Sequence, residues 1–76
     1  MKTVKVQPAS GGWVVECDIG GMPLAFLSAE AAHSKAQELG GLYADRGHLA
    51  QVLVEDRYGV VTSSTVIGPG LPRRRR

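Results

Sequence analysis

One cysteine and four aromatic residues are all that this chain of 76 residues holds of the groups that most often staple or anchor a small fold. The lone Cys17 excludes an internal disulfide. With no signal peptide ahead of it, a single thiol fits a reducing, cytoplasmic setting. The start of the chain, Met1 to Pro8, holds no apolar stretch that could serve as the core of a leader. No run approaches the roughly 18 apolar residues that a membrane span needs, so no membrane contact is expected. Soft metal ligands are equally sparse. Cys17, His33 and His48 stand singly, whereas structural zinc sites need four ligands at close paired spacings. Neither Gly11-Gly12 nor Gly20-Gly21 lies in a strand–loop–helix phosphate cradle; both fit turns. No metal, cofactor or small-molecule substrate is expected.

Positive charge is also scarce away from the C-terminus. Nine basic and seven acidic residues give a formal charge of +2, but four of the nine are Arg73, Arg74, Arg75 and Arg76. Residues 1–72 carry five basic and seven acidic groups, a net −2. A duplex-binding domain concentrates positive charge on its folded surface, and this body does not. Contact with nucleic acid would run through the arginine tail, helped by Arg57 and Lys5, as salt-sensitive attraction to phosphates.

The patterns that are present are those of a small sheet with one helix. Thr3 to Gln7 alternates, with Val4 and Val6 on one side, and Pro8 is expected to end that strand. Trp13 to Asp18 alternates likewise, with Trp13, Val15 and Cys17 sharing a face. The two strands read as a hairpin closed by a loop of about four residues. Ile19 to Pro23 is a second turn, and Leu24 to Leu27 a short third strand. Ser28 stands where a helix N-cap belongs, and Glu30 suits the first turn. Ala29, Ala32, Ala36, Leu39 and Tyr43 recur at spacings of 3, 4, 3 and 4, a narrow apolar stripe on one helix face. Gly40-Gly41 could stop the helix. The stripe continues past it, which argues for a helix running to about Asp45 and ending at Gly47. Leu49 to Asp56 reads as a fourth strand, with Ala50, Val52 and Val54 inward and Leu53 outward. Asp56 to Gly59 makes a tight turn, and Val60 to Ile67 is a fifth strand.

The expected fold is α+β: a two-layer domain over residues 1–68, with an antiparallel sheet of four to five short strands and one helix on one face, in the order β-β-β-α-β-β. Residues 69–76 read as a disordered Gly/Pro/Arg tail. One helix covers one face of the sheet. The other face would display Val14, Leu53 and some of Val61, Val66 and Ile67. A body this small buries only about 60% of its unfolded surface. With disulfide and metal excluded, self-association is the remaining source of stability. A homodimer is expected, with Val14, Leu53 and Val61 as its contact face.

Chemistry is harder to place. Cys17, one histidine and Asp45 could be named as a nucleophilic set, but Cys17 is expected beneath the helix, where a thiol is inert. No enzymatic activity is expected, and both histidines read as surface groups. Trp13 is either a core anchor or a platform for stacking a base. No basic residue is interleaved near it, which favours the core.

Three segments carry a resemblance. Gly12-Trp13-Val14-Val15, the helix start Phe26-Leu27-Ser28-Ala29-Glu30-Ala31-Ala32, and Val52 to Val61 with its Asp56-Arg57-Tyr58-Gly59 turn match a known family in order and rough spacing. In these the chain resembles the small uncharacterised bacterial family known as domain of unknown function 2188, over residues 3 to about 67. That resemblance implies the fold and no activity. The Trp-strand-to-helix stretch is also similar to antitoxins of a small ββ(β)α type, which pair with RNA-cleaving toxins.

Overall fold

A computed structural model describes residues 1–18 and 23–70. The elements are β1 (Lys2–Ala9), β2 (Gly12–Cys17), β3 (Leu24–Phe26), α1 (Ala29–Asp45), β4 (Ala50–Glu55) and β5 (Val61–Ile67). The fold is α+β, as the patterns predict, and the sheet runs β3-β2-β1-β4-β5. Three of its four strand pairs are antiparallel. The central pair, β1 with β4, is parallel, with Val4 opposite Val52 and Val6 opposite Val54. Each hairpin closes locally, but β3 and α1 together carry the chain back to β1 in its own direction. The sheet is therefore mixed where an antiparallel one was expected.

The helix is set by its ends. Ser28 is extended, and its hydroxyl accepts a hydrogen bond from the Ala31 N–H at 3.1 Å. At the other end Gly47 takes φ +87°. Its N–H reaches the Ala44 carbonyl, and that of His48 reaches the Tyr43 carbonyl, both at 3.0 Å. This reciprocal closure satisfies carbonyls the helix would otherwise leave bare. Replacing the cap (Ser28→Ala) is expected to cost about 1 kcal/mol, read as a lower urea midpoint at unchanged slope; an unchanged midpoint would contradict the cap's role.

Gly40-Gly41 does not stop the helix. Both glycines are buried, along with Ala32, Ala36, Tyr43 and Ala44. A Cβ on Gly40 would lie 2.9 Å from Ile67 Cδ1 and 3.3 Å from Val52 Cγ2. The missing side chain is what lets α1 lie close on β4 and β5. The core is Val4, Val6, Val15, Ala50, Val52 and Ile67 from the sheet under the helix's alanines and Tyr43. Trp13 and Phe26 are half-buried at its edge, so Trp13 serves the core.

Helix α1 crosses the sheet diagonally. Near its start, His33 meets Trp13 edge-on, with ring centroids 6.2 Å apart. Further along, Gly40 rests on Val52 and Ile67. Two opposite corners of the helix-side face stay uncovered. One holds Cys17, which the register places opposite Val4. The thiol is exposed, not buried as the alternation suggested, because the helix turns away from that end of β2. The other corner holds Ser63 and Thr65 of β5.

One further expectation is corrected and another is narrowed. Pro8 does not end β1. It pairs with Trp13, beyond the last residue that β1 shares with β4, where the strand is free on one side and a proline is tolerated. Ser10 and Gly11 alone then make the turn, with φ +81° at Gly11. Of Val61, Val66 and Ile67, from which the outer face was expected to draw, Ile67 lies on the core side, 6% exposed. A register shift between Val54 and Glu55 inserts an extra residue in β5. It reverses the inward–outward parity between Val61 and the rest of the strand. The Ile19-Gly20-Gly21-Met22 part of the second turn lies outside the described residues.

Candidate interaction surface

The register fixes which side chains share the sheet's outer face. Glu16, Lys5, Leu53 and Ser64 form one row across β2, β1, β4 and β5. Thr3, Gln51 and Val66 form a second row, and Glu55 with Val61 belongs to a third. Val14 sits opposite Gln7 on the far side of β1. Of the three residues expected to make a contact face, Leu53 and Val61 lie together on β4 and β5, with Val66 beside them. Val14 is separated from them by Lys5 and Gln7. Leu53 is half-buried, and Val61 and Val66 are 47% and 45% exposed. The apolar patch is thus a two-strand feature at the β5 side of the sheet.

The electrostatics of this face do not favour phosphate. The Lys5 ammonium lies 3.7 Å from a Glu55 carboxylate oxygen, and its register partner on β2 is Glu16. Such a surface ion pair contributes at most about 1 kcal/mol to stability, but it neutralises the one cation at the centre of the sheet. Arg57 is exposed on the β4–β5 turn. The shape of that turn comes from Asp56, whose side-chain oxygen accepts from the Tyr58 and Val60 N–H groups at 2.8 and 3.0 Å. Arg57 therefore directly follows a carboxylate that shapes the turn. Arg73, Arg74, Arg75 and Arg76 lie outside the described residues.

Strand β5 is the most open element. Val61 to Val66 are all exposed, and β5 ends the sheet. From Tyr58 to Pro72 no residue carries charge. That signal was legible in the sequence, yet it marks a site only once β5 is known to be an edge. On its helix side a groove of about 90 Å³ is lined by His33, Gln37, Val52, Val54, Ser63 and Thr65. A second, of about 210 Å³, lies over Trp13, Phe26 and Leu27 at the other edge. Both are smaller than the roughly 300–1,000 Å³ of ordinary ligand pockets. Among the described residues no three His, Cys, Asp or Glu side chains gather where a metal ion could sit. Nor is any helix there long and apolar enough to cross a membrane. No family model, curated protein or solved structure matches the chain.

Proposed function

We propose that this chain is a small non-enzymatic interaction module that works as a homodimer. The observation that carries the reading is the Leu53–Val61–Val66 patch on β4 and the uncharged edge strand β5, which is exposed from Val61 to Val66. Among the described residues, the largest fully buried side chains of this body are three valines, Val4, Val6 and Val15. A core of that size gives little stability of its own, and apolar surface on such a body is what a second copy would cover. Size-exclusion chromatography with light scattering, run on the full chain and on Leu53→Glu, tests it. The expected result is a dimer for the parent chain, weakened in the variant, because a charge replaces the apolar centre of the patch. Identical monomer profiles for both would overturn the reading.

The second reading is an accessory protein that holds nucleic acid through Arg73–Arg76. Four consecutive arginines favour it, and a body of net −2 does not. Comparing the full chain with one ending at Pro72 separates the two. The tail reading requires binding that falls steeply with salt and is lost on truncation. Equal, weak retention of both forms near physiological salt would remove it.

A further inference from the structure

We propose that the dimer forms by edge-to-edge pairing, with β5 of one copy lying antiparallel to β5 of the other to make one continuous ten-stranded sheet. This rests on the homodimer reading above and names its surface.

An edge strand presents unpaired backbone N–H and C=O groups, and proteins usually guard it with charge, proline, shortness or a covering element. The two edges of this sheet differ in that respect. Strand β3 is three residues long, follows Pro23 and runs directly into the cap of α1. Strand β5 is seven residues long and contains neither charge nor proline. Its single irregularity, opposite Val54 and Glu55, lies at its first residues and leaves Ser63 to Ile67 regular. The diagonal course of α1 leaves Ser63 and Thr65 on the helix side of β5 exposed as well.

The occupant follows from the strand's own sequence. Val61-Thr62-Ser63-Ser64-Thr65-Val66 reads the same in both directions. Every residue of that segment is a small hydroxyl or β-branched residue, so an antiparallel copy meets side chains of similar size with no like charges opposed. Opposed residues in an antiparallel pair share a face, so a two-fold axis must pass between two copies of one residue. Centred on Ser64, it sets Ser63 against Thr65 of the partner on the helix side, a hydroxyl pair of the kind that favours cross-strand contact. On the outer side it makes one row of Leu53, Ser64, the partner's Ser64 and the partner's Leu53. The two apolar patches then flank the seam. Such isologous closure consumes the β5 edge of both copies and stops at two.

The test uses the full chain and substitutions on the helix side of β5, which a dimer joined through its outer faces would not feel. Sedimentation velocity is run from about 1 µM to about 1 mM, the range in which small interfaces dissociate. The parent chain should dimerise, and Ser63→Lys should be monomeric at concentrations about tenfold higher. In a Cys17→Ser background, the double variant Ser63→Cys/Thr65→Cys should form a covalent dimer under mild oxidation. Directly opposed positions in a pair bring Cα atoms to about 4.5–5.5 Å, within disulfide range. A parent dimer that survives Ser63→Lys and yields no covalent dimer overturns edge pairing while leaving the homodimer reading intact. A parent chain that stays monomeric throughout overturns both.

Discussion

Replacing Gly40 with leucine is expected to unfold the protein well before the parent chain, with a loss of about 3 kcal/mol. The helix propensity of leucine works in the other direction, by somewhat under 1 kcal/mol. Packing decides the sign. A methyl group alone would already press on Ile67 Cδ1 at 2.9 Å and Val52 Cγ2 at 3.3 Å. The end of Ile67 can rotate aside, so Gly40→Ala should fall within about 1 kcal/mol of the parent, its propensity gain offsetting the crowding. The longer leucine has nowhere to go except by lifting α1 from β4 and β5. A domain of this length holds only some 4–11 kcal/mol in all, so the loss is a large share of it. In thermal melts it corresponds to a midpoint lower by about 12–24 °C. A leucine variant that melts with the parent would show that α1 does not lie on the sheet as described.

The second large effect is at Gly12. A Cβ there would collide with the backbone carbonyl oxygen of Phe26. A side chain can swing aside, but that oxygen is fixed by the β2–β3 pairing, in which Trp13 faces Phe26. Gly12→Val should therefore prise β3 from the sheet at a cost of about 2–3 kcal/mol. The damage should appear locally first. Trp13 is the sole tryptophan and would lose its neighbour, so its fluorescence should shift to the red before global unfolding. Gly11 supplies the contrast. Its φ is +81° but nothing lies near its Cβ position, so Gly11→Ala should cost about 1–2 kcal/mol of backbone strain and leave the emission unchanged. Equal emission from all three chains would contradict the close approach of β3 to β2.

These two glycines also mark where sequence reading stops. The helix was legible from Ser28 to Gly47 because its signals are local: a cap, a stripe of alanines, and a glycine past the last turn. The reason it tolerates Gly40 was not, since Ile67 and Val52 are distant in sequence. Alternation set Val4 and Val6 on one shared face and placed Val15, Ala50 and Val52 inward correctly. It failed for Cys17, whose exposure depends on the diagonal course of the helix. It left the side of Ile67 open, and a register shift in β5 changes parity without any glycine or proline to announce it. The parallel pairing of β1 with β4 is likewise a choice between distant segments, and both hairpins read equally well without it. For the candidate surface, Leu53 and Val61 were legible as outward residues. Their separation from Val14 by Lys5 and Gln7 required the strand order. So did the identity of β5 as the unguarded edge.

The claim at the centre of this account is that the folded body is made to meet a second copy of itself. Sedimentation equilibrium of the full chain at several loading concentrations tests it most directly. The account predicts a mass that climbs from 8.1 kDa toward twice that value and then levels off, as a closed two-fold pair requires. A mass that stays at 8.1 kDa up to millimolar concentration, or one that keeps rising past the dimer, would contradict it.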